Sequence, residues 1–208
     1  MKQLGILLSG RGSNFAAIAE NIRKGLIPAR IAIVISNRAE APGIEHARKL
    51  GLNALVLPSR GKVREQHDAE VIAALQNANV DLICLAGYMR LLSPGFIRAF
   101  PHRILNIHPS LLPAFPGLDA QKQAFEHGAK ISGCTVHFVD EFLDHGAIIV
   151  QHAVPVLDTD DDHTLAARIL EHEHLAYTEA INLVLSGDFE IADRRVIRKS
   201  ALATGRAS

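Results

Sequence analysis

The chain has 208 residues, with 22 Lys and Arg against 22 Asp and Glu, and 48% of it is hydrophobic. That is the size and composition of one globular domain and not of a disordered chain. The zero formal net charge lacks the basic excess that non-specific nucleic-acid binding needs, and no apolar run reaches the ~18 residues of a membrane-spanning helix.

In chain order, short apolar runs at Leu4–Leu8, Ile31–Ile35, Ala54–Leu57, Leu82–Ala86 and Ile104–Ile107 lack polar alternation, as strands buried on both faces do. Between them, Asn14–Lys24, Ile44–Leu50, Val63–Ala78 and Pro94–Phe100 carry helical patterns. Gly51 follows the second of these as a C-terminal stop, and Ser93-Pro94 opens the fourth as N-cap and first helical residue. Repeated βαβ units predict a doubly wound parallel sheet with helices on both faces. After Pro109 the texture changes: Pro113, Pro116 and Gly117 stiffen a loop before a helix near Ala120–Glu126. Thr135–Val139 and Ile148–Val156 read as two antiparallel strands joined by an acidic turn. Thr164–Leu185 is a long helix behind the acidic loop Asp158–Asp162. The expected fold class is therefore α/β, a single Rossmann-like domain with a mixed sheet. Its N-terminal half is parallel and its C-terminal strands antiparallel. The run from Arg194 onward reads as a tail that frays.

The first strand ends in Ser9-Gly10-Arg11-Gly12-Ser13-Asn14 and a helix follows at once. A strand, a Gly-rich turn and a helix start put backbone N–H groups and the positive end of a helix dipole at one spot, which suits a phosphate. As a dinucleotide fingerprint the motif is incomplete. Phe15 stands at the third glycine position, and Ser36-Asn37-Arg38 replaces the acid expected after the second strand. A mononucleotide phosphate is the better reading, with Asn37-Arg38 leaving an NADP site as the alternative.

A second constellation is Asn106-Ile107-His108-Pro109 at the end of the fifth strand, where ligands of open α/β sheets bind. Residues i and i+2 of a strand share a face. An amide beside an imidazole there suits a carbonyl turning tetrahedral, the amide donating to the oxyanion and the imidazole moving a proton. Asp140-Glu141-Phe142-Leu143-Asp144 offers a carboxylate to orient the imidazole, but spacing alone does not select which acid does so.

These stretches, LLSGRGSN, LICLAGYMRLLSPGF, RILNIHPSLLPAFPGL, GCTVHFVDEFLDHGAII and EHEHLAY, resemble those of the glycinamide ribonucleotide formyltransferases, folate-dependent enzymes of purine synthesis. The resemblance implies transfer of a formyl group from the co-substrate 10-formyltetrahydrofolate to the primary amine of glycinamide ribonucleotide, without a metal. It makes Asn106, His108 and Asp144 catalytic, with Asp144 stabilising the imidazolium of His108. It assigns Gly12, Ser13 and Asn14 to the substrate phosphate and Glu173 to its ribose. Arg64, Met89, Arg90, Leu91, Leu92, Asn106 and the loop Asp140, Glu141, Phe142, Leu143, Asp144 would hold the folate. The formyltransferase domain is expected over residues 1–190, with 191–208 a partly flexible tail. The protein is expected to act as a monomer or homodimer, with no nucleic-acid or membrane partner. Asp119, Gln121 and His67 depart from the family's usual residues.

Eleven histidines are present, nine of them from His102 to His174. His172 and His174 lie about 200° apart on a helix and do not share a metal. His137 is the one further candidate for the active site; His46, His102, His127, His152 and His163 read as surface or packing residues. Cys84 and Cys134 lie in apolar runs with no CxxC spacing. They fit core positions in a reducing compartment, and the opening MKQLGILL lacks the pattern of a secretory leader, so a cytoplasmic location is expected. The alternatives are methionyl-tRNA formyltransferase, for which a further tRNA-binding domain is expected, a formyltetrahydrofolate hydrolase, for which an N-terminal regulatory domain is expected, and an NADP-dependent reductase.

Overall fold

The computed structural model describes residues 1–199. Two compact units are formed, one from Met1–Asn106 with Val139–Glu141, the other from Ile107–Phe138 with the described residues from Phe142 onward.

The first unit runs β1 (Lys2–Leu8), α1 (Ser13–Arg23), β2 (Ala29–Ser36), α2 (Pro42–Lys49), β3 (Ala54–Val56), α3 (Arg64–Asn77), β4 (Leu82–Leu85), α4 (Pro94–Ala99) and β5 (Ile104–His108), whose last two residues already count with the second unit. Its strands are parallel and ordered β3-β2-β1-β4-β5. The chain winds outward from β1 in one direction and then returns to wind in the other. With right-handed crossovers this puts α1 and α2 on one face and α3 and α4 on the opposite face, and the helices do pair that way. Leu7, Val71, Leu75, Ile83, Phe96, Phe100 and Ile104 form the core under α3 and α4; truncating one of these to Ala typically costs about 2–5 kcal/mol. The punctuation read from sequence is in place. Ser93 caps α4 by accepting the Phe96 N–H at 3.3 Å, with Pro94 at the first helical position, and Gly51 takes φ +70° just past α2.

The second unit holds α5 (Ala120–Glu126), β6 (Ile131–Phe138), β7 (Ile148–Pro155), α6 (Asp162–Ser186), β8 (Phe189–Ala192) and β9 (Arg195–Arg198). β6 and β7 are antiparallel, β9 runs parallel to β7, and β8 returns antiparallel to β9. The α/β class, the parallel first half and the antiparallel pairing of β6 with β7 are those expected, while β9 adds a parallel neighbour to β7. Helix α6 begins at a capping box, in which Asp161 accepts the Thr164 N–H at 2.7 Å and Thr164 Oγ1 accepts the Asp161 N–H at 2.9 Å. Such a cap is worth about 1 kcal/mol. Arg168 grips Asp160 with two bonds of 2.7 and 2.6 Å and holds its carboxyl well below the usual carboxylate range.

Two local readings change. β6 starts at Ile131 rather than Thr135, because Ser132-Gly133 interrupts the apolar run in sequence but not the ladder. The stretch from residue 191 read as a tail holds the end of β8, the turn and β9; the turn, Asp193-Arg194, has no glycine and takes its left-handed residue from Asp193 at φ +54°. Residues 200–208 of that expected tail lie outside the described residues.

Candidate active site

In the first unit the site residues gather at the carboxyl ends of β1, β2 and β4, beside the point where the winding reverses, the usual ligand crevice of such sheets. Ser9, just past β1, is the hub: its hydroxyl donates to Asn37 Oδ1 at 2.6 Å and accepts the Met89 N–H at 2.8 Å. Asn37 passes the chain on to Ser59 Oγ at 3.1 Å. These bonds fix the loops after four strands against one another. They also engage the amide of Asn37, which is 6% exposed, so it is not presented to a nucleotide as the NADP alternative requires.

Gly12 forms the N-cap of α1 at φ +71° with no side-chain cap on the helix. Its left-handed backbone disfavours any side chain, and a Cβ there would meet Leu8 Cδ2 at 3.2 Å and Gly43 Cα at 3.4 Å. The turn therefore delivers the helix start, with Ser13 at its first position and Asn14 buried behind it, as an anion site requires. Gly43 is a residue that sequence reasoning missed. Its N–H donates to Gly10 O at 3.1 Å, and a Cβ on it would come within 2.8 Å of Leu8 Cδ2. A lone glycine after a proline gives no sequence signal for such a contact.

The residues expected to hold a folate are spread along exposed ends in this unit. Arg64 opens α3 and is exposed. Met89 and Leu91 are 60% and 53% exposed, Leu92 packs partly against the core, and Arg90 Nη2 donates to Lys62 O at 3.2 Å. Asp68, wholly buried, accepts the Ser93 N–H at 2.6 Å and so anchors the far end of that loop. His67 is fully buried with Nε2 at 2.9 Å from Leu57 O, a packing position. Asn106 is half-buried on β5, Asp140 is half-buried, and Glu141 is exposed near Arg98 at 3.7 Å.

In the second unit a denser arrangement surrounds Asp144. His108 Nδ1 lies 3.4 Å from Asp144 Oδ2 and His137 Nε2 lies 3.8 Å from Oδ1, with all three side chains under a tenth exposed. The Gly117 N–H donates to Oδ2 at 2.9 Å. Each imidazole uses its other nitrogen on a backbone carbonyl, His108 Nε2 on Phe115 O at 2.8 Å and His137 Nδ1 on Phe138 O at 2.8 Å. A carbonyl only accepts, so both of those nitrogens carry hydrogen. The nitrogens turned to Asp144 then carry a proton only when the ring is an imidazolium. Of the acids that sequence spacing left open, Asp144 is the one brought to His108.

The 108–117 loop that supplies these partners is pinned by Thr135, whose hydroxyl donates to Ser110 O at 2.7 Å and accepts the Leu112 N–H at 3.0 Å. Gln151 Nε2 adds a bond to Leu112 O at 2.9 Å. The backbone groups of Phe115 and Gly117 were invisible in sequence, since any residue carries them. Phe142 and Leu143, just before Asp144, are 69% and 56% exposed, an apolar display that suits a flat ring. Glu173 is buried on α6. Burial, and secondly the charge of Glu173, push the Cys134 thiol up to about 12.

The remaining histidines divide as packing residues do. His172 packs edge-on against His152 at 5.9 Å, and His46 against Phe15 at 5.6 Å. Burial pushes His174 below its usual value. Among the described residues no group of three or more His, Cys, Asp or Glu side chains is placed to hold a metal ion, and no helix is long and apolar enough to cross a membrane.

The fold and these two clusters define an α/β protein with an anion-type loop and a buried imidazole–carboxylate pair, a combination suited to acyl-type transfer. Residues 2–181 match the family described as formyl transferase, and the chain belongs to that family. It is 40% identical to the phosphoribosylglycinamide formyltransferase of Escherichia coli K12 over 88% of this chain and 86% of that protein. It is 49% identical to the trifunctional purine biosynthetic protein adenosine-3 of Drosophila pseudoobscura, over 89% of this chain but 14% of that much longer protein. The chain thus spans under a fifth of the trifunctional relatives it matches. Among solved structures, glycinamide ribonucleotide transformylase 1 from Symbiobacterium toebii superposes with a TM-score of 0.92 at 53% identity, covering 95% of this chain and 94% of that one.

Proposed function

We propose that this chain transfers the formyl group of 10-formyltetrahydrofolate to the primary amine of glycinamide ribonucleotide, a step of purine synthesis carried out in the cytoplasm. The observation that carries this reading is the buried His108–Asp144 pair, with the second ring nitrogen of His108 already bearing a hydrogen. Loop residues Gly12, Ser13 and Asn14 bind the substrate phosphate through backbone N–H groups, and Glu173 takes its ribose. The exposed apolar side chains of Met89, Leu91, Phe142 and Leu143 match the flat ring of a folate, with Arg64 and Arg90 available for its carboxylates. The protein acts on small molecules alone, as a monomer or homodimer.

In the reaction the amine attacks the formyl carbon and the formyl oxygen gains negative charge. The side-chain amide of Asn106 donates to that oxygen, and His108 as the imidazolium offers its Nε2–H. In this structure that hydrogen is held by Phe115 O, so the formyl oxygen takes the carbonyl's place when substrate binds. Asp144 holds the ring in orientation. The proton lost by the attacking amine finally reaches the nitrogen of the leaving folate.

Incubation with 10-formyltetrahydrofolate and glycinamide ribonucleotide tests the reading. Formylated product is expected, with no consumption of the folate when the amine is left out. Release of formate without the amine would assign the chain to the hydrolases instead, and binding of NADPH without folate turnover would favour the reductase alternative.

A further inference from the structure

Arg194 has no role in the scheme above, yet its Nη2 donates to the carbonyl of His145 at 2.6 Å, one residue beyond Asp144. It stands in the turn between β8 and β9. β9 pairs with β7 at Ile148↔Arg195, so the register of the hairpin sets where the guanidinium lies. The loop it reaches needs holding. Asp144 sits at φ +49°, a left-handed conformation that residues with side chains keep only when their surroundings enforce it. Phe142 and Leu143 just before it are mostly exposed, and the Phe142 ring meets the edge of His145 at 5.1 Å. Asp144 and Arg194 also line one cavity of about 250 Å³, together with Leu112, Pro113, Gly146 and Ile148.

We propose that Arg194 is a positioning residue for Asp144, clamping the 142–146 loop so that the carboxylate stays against His108 and His137. The proposal rests on the reading of Asp144 as the carboxylate that serves His108. Since Arg194 is an exposed turn residue, its removal leaves the core untouched. The predicted loss is in catalytic geometry, where displacements of an ångström matter.

The test compares the wild-type chain with Arg194→Ala, Arg194→Lys, Asp144→Asn and the Arg194→Ala/Asp144→Asn double variant, measuring kcat, KM for the amine substrate, Tm, and amide exchange of residues 142–146. Arg194→Ala is expected to lower kcat about tenfold, to leave KM and Tm nearly unchanged, and to speed exchange in the loop. Arg194→Lys, which can still donate to the carbonyl, recovers most of the rate. In the Asp144→Asn background the arginine substitution has no further effect, because there is no carboxylate left to place. Wild-type kcat in Arg194→Ala overturns the proposal, as does an equal fold-loss in both backgrounds. Full activity of Asp144→Asn would instead remove the reading of Asp144 itself, and the proposal with it.

Discussion

The loop after β1 and the cluster around Asp144 solve different problems with different materials. The first is made of backbone: a left-handed glycine, an uncapped helix start, and a second glycine, Gly43, pressed against the loop. Its side chains, Ser9 and Asn37, serve to tie loops together. The second is made of side chains: two imidazoles and one carboxylate, nearly dry, each oriented by a backbone partner. A fixed anion is held well by N–H dipoles that need no counter-charge. Proton movement needs groups that change charge, and these must be oriented singly. On the proposed reading, a phosphate held by backbone N–H groups needs no basic excess in a chain of zero formal net charge.

If the two regions divide the work in this way, damage to each should read out differently. The largest effect is expected from the oxyanion donor: Asn106→Ala should lower kcat about 10²–10³-fold with KM little changed, measured in steady state. Next, Gly12→Val should raise KM for the nucleotide substrate by an order of magnitude or more, since it strains a φ of +71° and crowds Leu8 and Gly43. A kcat loss without a KM rise would contradict the assignment of this loop to the phosphate. Gly43→Ala should act in the same direction but less, as its φ is not left-handed and only the close approach to Leu8 and Gly10 is disturbed.

A smaller expectation concerns Cys134, buried near Glu173. Its thiol is pushed up to about 12, chiefly by burial, from an ordinary value of 9.0. The neutral thiol is therefore the folded form, and the unfolded chain loses this proton first. The resulting contribution to stability is fully present below about pH 9 and declines as pH rises toward 12. Alkylation by iodoacetamide at pH 8 should be slow in the folded protein and fast in denaturant. Rapid labelling of the folded protein would show the thiol to be activated.

Much of this was legible in the sequence because the signals were local. Apolar runs without alternation marked the parallel strands, Ser93-Pro94 marked α4, and GRGSN marked a turn into a helix. The β8–β9 hairpin was hidden because Asp193 supplies a left-handed turn without glycine and Arg194, Arg195 and Arg198 disguise the second strand. At the site, the residue types of Asn106 and His108 showed in the motif, whereas the choice of Asp144 over Asp140 or Glu141 came only with the family resemblance and not from spacing. That choice depends on a loop whose φ of +49° turns one carboxylate inward. The second imidazole, His137, read as the one further candidate in sequence, and its 3.8 Å approach to the same carboxylate comes from its place on β6. The carbonyls of Phe115 and Phe138, which fix both rings, carry no sequence signature at all.

The division between anion recognition and proton chemistry is tested most directly with Asp144→Asn, by measuring the single-turnover rate of formyl transfer alongside Kd for glycinamide ribonucleotide. The account predicts a rate at least a hundredfold lower with Kd unchanged, because the phosphate loop is intact. A retained rate, or a loss expressed mainly as weaker substrate binding, would contradict it.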